Sequence, residues 1–388
     1  MLLVEHTPHK NTEHVLRRSI SVAEHYGFLP IESVMPEYGL RRKSKMPQYA
    51  TYLSAFDNEL AGIVRSYIEH GHARLSEPTL FYQQGINRKD PTKIFFGLHI
   101  LGSSHSIAEA FLIKTALATL DELGIKERCV HVNSVGDRDS ANRFTKELTS
   151  YLRRHLNDLP GYSRQAMKKD VFYAYGELLK KQHELCAEAP TTVEFLTESS
   201  RKHLSEVLEY FEIAQVEYEL NPTLIGHGDC YSKTLFEIRA LPKEDDDEIL
   251  IYARGGRYDE LSKKAFRQHI PAAGIIFEYE KRGRLPKKLS RERKWRPKFY
   301  FIQLGFEARL RSLVVLEMLR QAHISVYQSL GKSQLAEHLK LAEQLEIPYC
   351  IIMGHKEALE RSVIVRNMDT RAQETIVVDG LPRYLKSI

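Results

Sequence analysis

Residues 249–259 read Ile249-Leu250-Ile251-Tyr252-Ala253-Arg254-Gly255-Gly256-Arg257-Tyr258-Asp259. The run Ile249–Tyr252 has the apolar, β-branched make-up of a strand. Gly255 and Gly256 follow, a pair that permits a tight turn. A guanidinium, a phenol and a carboxylate then come in succession at Arg257, Tyr258 and Asp259. Leu235–Ile238 upstream and Ala273–Tyr279 downstream are also strand-like. Strands separated from those further upstream by a helical insertion predict an antiparallel or mixed sheet.

Further upstream, Glu13–Tyr26 carries Val15, Ile20 and Ala23 at helical spacing, and Phe95–Leu101 reads as a strand. Ser106 and Glu109 have the spacing of a capping box, in which two side chains satisfy free amides at a helix start. Ile107, Phe111, Ile113, Leu117 and Leu120 give that helix a buried side. A helical stretch, Arg164–Phe211, is rich in both charge signs and is expected to be an exposed insertion. His131 alternates with Val130 and Val132, which places it on the outward side of a strand. Lys243–Glu248 reads as a solvated turn.

Downstream, Lys281–Lys298 holds ten Lys or Arg against one Glu, with Pro286 and Pro297 inside it. It has no apolar periodicity and reads as a linker. It is either a solvated hinge or a nucleic-acid contact, since clustered cations displace counterions from phosphates. Beyond it, Phe299–Leu304, then Leu310, Val314 and Met318, then Ile324 and Val326, then Leu335, Leu339 and Ala342, then Tyr349–Met353 alternate between strand and helix periods. Val363–Val365 and Thr375–Val378 add strands, so this part is expected to be a parallel sheet covered by helices. The overall expectation is α+β: a core over residues 1–283 with a helical insertion at about 160–220, a basic linker over 284–297, and an α/β domain over 298–388.

The chain has 388 residues, of which 43% are hydrophobic and 28% charged, so wholesale disorder is excluded. No apolar run of about 18 residues is present, which argues against a membrane helix. Cys129, Cys186, Cys230 and Cys350 are far apart, so neither a zinc knuckle nor a disulfide framework is expected, and the reading is cytoplasmic. The net charge of +5 permits a polyanionic partner. The 17 histidines include His70 with His72 and His99 with His105, but no matching carboxylate or cysteine set, so no metal is predicted.

The segment Gly255-Gly256-Arg257-Tyr258-Asp259 resembles a motif of histidyl-tRNA synthetases. Val64-Arg65-Ser66-Tyr67-Ile68-Glu69-His70-Gly71 and Val132-Asn133-Ser134-Val135-Gly136-Asp137 are similar to two further family stretches, in the same order. Ala187–Glu219 with Leu220-Asn221-Pro222 resembles the insertion and its exit, and Asp229, Tyr231, Thr234, Phe236 and Glu237 match a fourth stretch. Leu304-Gly305 and Ser329-Leu330-Gly331 resemble the anticodon-binding domain. The resemblance implies a class II synthetase core followed by that domain, a homodimer, and tRNA and histidine as partners.

It also implies chemistry that this chain departs from. Such enzymes join histidine and ATP into an adenylate, and arginines, usually with magnesium, hold the crowded phosphates. At the first arginine position this chain has Phe81, and Gln83 and Gln84 replace a glutamate and the second arginine. Gly226 stands for the arginine that reaches the reacting carboxylate, with His227 beside it. The motif 3 arginine is Lys281, with Arg282 one residue on, and Glu278 replaces a glycine. Arg88, Lys89 and Lys93 keep some charge in the motif 2 loop. The histidine-recognising Gln and Glu fall on Phe95 and His99, Glu59 matches an early motif, and the motif 1 proline is Val34.

The candidate catalytic groups are therefore Lys281, Arg282 and Arg88. The candidate substrate contacts are Glu59, His99, Asp229, Tyr231, Gly255, Gly256, Arg257 and Tyr258. Arg257, Tyr258 and Asp259 have a structural reading as well, a tyrosine hydroxyl and a glycine turn steadying the sheet. Three functions are carried forward. The first is a synthetase-like protein with a degenerate ATP and histidine site, acting by tRNA binding or regulation, with no tightly bound cofactor. The second is a divergent but active histidine–tRNA ligase using ATP and magnesium. The third is a regulatory subunit like that of ATP phosphoribosyltransferase.

Overall fold

The computed structural model describes residues 11–36, 55–75, 77–87, 90–168, 170–226, 230–241, 249–283, 297–331 and 334–388. In chain order the core comprises α1 (Thr12–His25), β1 (Leu29–Pro30), α2 (Ile31–Val34), α3 (Ala55–Glu69), β2 (Thr79–Ile86), β3 (Lys93–Leu101), α4 (Ile107–Glu122), β4 (Arg128–Gly136), α5 (Arg138–Arg154), α6 (Gly161–Met167), α7 (Val171–Lys180), α8 (Glu198–Ile213), β5 (Tyr218–Leu220), β6 (Ser232–Ala240), β7 (Ile251–Arg257), α9 (Asp259–Phe266) and β8 (Ala272–Glu280). The C-terminal part comprises β9 (Phe299–Gln303), α10 (Phe306–Gln321), β10 (Val326–Gln328), α11 (Leu335–Gln344), β11 (Tyr349–Met353), α12 (His355–Glu360), β12 (Ser362–Asn367), β13 (Gln373–Val377) and α13 (Leu381–Ser387).

The core sheet has eight strands in the order β1-β2-β3-β8-β7-β6-β4-β5. Its outer pairs, β1 with β2 and β4 with β5, are parallel and the rest are antiparallel, so the sheet is mixed as the sequence predicts. Period-two alternation sorts its side chains onto two faces. Phe96, Leu98, Val132, Phe236, Ile238, Ile275 and Phe277 point to the back face, where α1, α4 and α8 bury them. His99, Phe81 and Tyr258 point to the front face, where residues of α3 and α9 pack on Phe81 and Tyr258.

Three expectations are corrected. Ser106 makes no cap bond to the backbone; its hydroxyl donates to Glu206 at 2.6 Å instead. Glu109 does not reach back to an amide, because α4 is apolar nearly all round and the carboxylate is wholly buried beneath the sheet. The stretch Arg164–Phe211 is not all exposed. Only α6 and α7 form a separate small core with α5, whereas α8 sends Leu204, Val207, Tyr210 and Phe211 into the main core. Its amphipathic spacing decides this, with its charges confined to the outer side. Finally, the C-terminal sheet, ordered β10-β9-β11-β12-β13, is parallel only over its first three strands. β12 and β13 return antiparallel: the β11–β12 connection holds only the short α12 and the β12–β13 connection is a turn, both shorter than the dozen or so residues a parallel crossover needs.

The two parts pack through α10. The Tyr26 hydroxyl donates to Glu317 at 2.5 Å, Arg320 bonds Glu122 at 2.9 Å, and Tyr210 meets Phe306 edge-on. Burial would raise the Glu317 carboxyl, but Arg320 and Tyr26 hold it down at about 2.

Candidate functional site

The front face is centred on His99. Its register partners are Phe81 on β2 and Gly274 on β8. The missing side chain at Gly274 leaves the room that the imidazole fills, since a Cβ there would come within 2.6 Å of Nδ1. Gly97 does the same beside Nε2, at 3.0 Å. Phe81 stacks on the ring with centroids 5.3 Å apart and planes inclined by 22°. Nδ1 lies 3.1 Å from the Tyr258 hydroxyl and Nε2 lies 3.2 Å from the Gln83 side-chain amide. All four residues are buried, Gln83 least so at 3% exposure.

Among the described residues no carboxylate bonds this imidazole. Burial pushes its pKa down to about 3, so it is neutral at physiological pH. This has a consequence for stability. The unfolded chain takes up a proton at this residue as pH falls through about 6.5, and the folded chain does not until about 3. Stability from this group is complete above the unfolded value and falls by about 1.4 kcal/mol per pH unit below it. Denaturant midpoints measured from pH 7 to pH 4 should decline more steeply in the natural chain than in His99→Gln. Equal slopes would mean that the buried neutral form is absent in solution.

Arg257, which the sequence offers as a ligand contact, points the other way. It lies on the back face and is fully buried. Nε donates to Glu109 Oε1 at 2.8 Å and Nη2 to Glu109 Oε2 at 2.6 Å, a bidentate pair. Nη1 donates to the Ser103 carbonyl at 2.8 Å and faces Asp259 at 3.4 Å, and Nη2 also donates to the His105 carbonyl at 3.2 Å. A guanidinium has five donors, and all are used inside the protein. His203 on α8 adds a 2.6 Å contact to Glu109. Burial alone would raise the Glu109 carboxyl, but Arg257 and then His203 hold it far below the usual carboxylate range. Gly255 and Gly256 sit within β7 rather than at a turn. A Cβ on Gly255 would run into the Gly274 carbonyl and the Phe236 ring, and one on Gly256 would meet the Thr234 carbonyl at 2.9 Å.

The other candidates are dispersed. Gly226 faces the Tyr231 ring and Leu235, which a Cβ would approach within 2.8 and 3.0 Å, so those side chains occupy the space where a longer one would begin. Tyr231 itself packs on the second core with Tyr258 and Phe81. Glu59 is half-buried on α3. Lys281 and Arg282 follow the far end of β8, roughly 20 Å along the strand from Gly274. The Lys281 amide donates to the Thr92 carbonyl at 2.7 Å, and the Arg282 guanidinium lies 3.5 Å from Glu280. They are not brought to His99. Arg88, Asp229 and His227, and residues 284–296 of the basic linker, lie outside the described residues.

Acidic side chains also mark the front face. Glu278, where a glycine was expected, accepts from Asn87 at 2.7 Å. Glu237 is bound by Arg239 at 2.7 Å and Arg254 at 3.0 Å. Among the described residues no three His, Cys, Asp or Glu stand together as a metal set. The sequence reading missed the pairing of Glu109 with His203 and Arg257. The available signal was a glutamate inside Ile107-Ala108-Glu109-Ala110-Phe111-Leu112-Ile113, a stretch with no polar side to host it.

Comparison with known proteins agrees with this architecture. Residues 298–388 match the family described as an anticodon binding domain. The chain is 29% identical over 342 residues to the histidine–tRNA ligase of Fervidobacterium nodosum, covering 83% of this chain and 79% of that one. It is 27% identical over 343 residues to the histidine–tRNA ligase of a Picosynechococcus species, covering 84% and 78%. The crystal structure of apo S. aureus histidyl-tRNA synthetase superimposes over 100% of both chains with a TM-score of 0.51 at 18% identity, a likeness of fold.

Proposed function

From the premise that this chain is a member of the class II histidyl-tRNA synthetase family, we propose that it binds tRNA and has lost efficient histidyl-adenylate synthesis. The observation that carries the loss is the buried stack of Phe81, His99, Tyr258 and Gln83. A neutral imidazole and a phenyl ring stand where the family places a carboxylate and a phosphate-binding arginine. The remaining guanidinium of the motif, Arg257, has no donor left for a phosphate. ATP and magnesium therefore have no role in this reading, and a histidine-like ligand has no open seat at His99.

The anticodon binding domain and the basic stretch Lys281–Lys298 support tRNA as the partner. That domain weighs against a regulatory subunit of phosphoribosyl transfer, which has no use for it. The protein is expected to act as a homodimer in the cytoplasm, as its family membership implies.

Filter binding tests the RNA half. Affinity for bulk tRNA should fall by about tenfold or more between about 50 and about 200 mM salt, because cations on the protein displace counterions. Absence of tRNA binding at low salt would remove that half. Histidine-dependent ATP–pyrophosphate exchange tests the other half, and exchange close to that of an intact ligase would overturn it.

A further inference from the structure

The seam between the two domains holds a cavity of about 400 Å³, lined from the core by α4 and the end of α8 and from the C-terminal domain by α10, β11, α12 and residues 378–379. It lies behind the sheet, on the side away from His99. Three cationic residues line it: Lys114, Arg311 and Arg361. None of their charged groups ends in a hydrogen bond or ion pair among the described residues. Lys114 is largely buried on α4, and that burial lowers its pKa, with Glu317 partly offsetting the effect. Such an ammonium lacks a counter-charge at contact distance.

Two carboxylates share the space. Glu317 is already committed, bound by Arg320 at 2.8 and 2.9 Å and by Tyr26 at 2.5 Å. Asp379 contributes one further negative charge. Three uncommitted positive charges against one negative leave a surplus of two. Apart from Gln215 the remaining lining is apolar and includes Ile213, Val314, Val315 and Met353. The volume falls within the range of small-ligand pockets, about 300–1,000 Å³.

We infer that this seam binds a dianionic organic phosphate, a phosphate monoester on a compact apolar or aromatic body. A phosphate monoester carries close to two negative charges at neutral pH, which matches the surplus, whereas a carboxylate brings one. Arginine forks suit phosphate oxygens, and a lysine adds a point charge. The apolar lining then takes the ester's organic group. Because the walls belong to both domains, occupancy stabilises their packing through mass action. This inference goes beyond the tRNA and adenylation readings and stands whether or not either holds.

The test is calorimetric titration of the full chain with phenyl phosphate, and separately with inorganic phosphate and with phenol. Phenyl phosphate should bind one site per chain, inorganic phosphate about tenfold more weakly or worse, and phenol not measurably. Lys114→Met and Arg311→Met should each weaken phenyl phosphate by about tenfold or more, while Lys180→Met on the exposed insertion should leave it unchanged. Circular dichroism confirms that the variants fold; should Lys114→Met not fold, Arg311→Met on α10 carries the comparison. No binding up to about 10 mM, or equal affinity in the natural chain and the folded variants, overturns the inference. Inorganic phosphate binding as tightly as phenyl phosphate overturns the organic part of it.

Discussion

Purified protein supplied with histidine and ATP should exchange pyrophosphate at less than about one ten-thousandth of the rate of an intact histidine–tRNA ligase assayed beside it. Each charge-stabilising group removed from such a site costs about 3 kcal/mol, or roughly 100-fold in rate. On the resemblance to the family's motifs, Phe81, Gln84 and Gly226 stand in place of three guanidiniums, and Lys281 is held at the end of β8 by its amide, with a single charge in place of a fork. The losses need not add, but non-additivity changes their sum and not their direction. On the same reading histidine recognition is altered as well. A substrate imidazole needs a partner for its N–H, and His99 offers a neutral ring whose two nitrogens already face Tyr258 and Gln83. A rate within about tenfold of the control, equivalent to about 1.4 kcal/mol in barrier, would show that other groups have taken over the phosphates and would sink the proposal.

The sequence made the architecture legible where period alone decides. Leu235–Ile238, Phe95–Leu101 and Tyr349–Met353 fall inside β6, β3 and β11, because alternating or continuous apolar runs bounded by polar turns leave few other choices. Direction was less legible. The apolar run Val363–Val365 in β12 does not by itself tell a parallel strand from an antiparallel one, and the connections on either side of β12, too short for a parallel crossover, make β12 and β13 antiparallel. The candidate site was legible as a set of substitutions and not as an arrangement. That Phe81 and Gly226 are not arginines can be read directly. That Phe81 stacks on His99 depends on a cross-strand register, which one residue of slip would have turned to the opposite face. For the same reason Arg257 and Tyr258, neighbours in the chain, serve different sides of the sheet. Glu109 was misread because its spacing from Ser106 satisfies a local motif, while its bonds run to residues 94 and 148 positions away.

Replacing Arg257 by methionine should destabilise the fold by about 3–5 kcal/mol, a large share of the roughly 5–15 kcal/mol that holds a typical domain. The loss does not come from the ion pair's own strength, because an ion pair buried this deeply repays little more than its desolvation. It comes from what remains: Glu109, fully buried, and Asp259, nearly so, would face each other's field without the guanidinium. Two carbonyls, those of Ser103 and His105, would also lose their donors. Arg257→Lys should fall between, since an ammonium keeps the charge but cannot span both oxygens of Glu109 and both carbonyls. Adding Glu109→Gln to Arg257→Met should recover part of the loss by removing the stranded charge, although His203 then loses its 2.6 Å carboxylate partner. The pH dependence carries its own sign. Arg257 and His203 depress the folded pKa of Glu109, so its stabilising contribution is complete above the unfolded value of about 4.3 and is lost as pH falls below it. Urea unfolding at pH 7 and again near pH 4 reads both effects. A loss under about 1 kcal/mol in Arg257→Met at pH 7 would mean that Arg257 is not a structural keystone, and would return it to the list of groups free to meet a ligand.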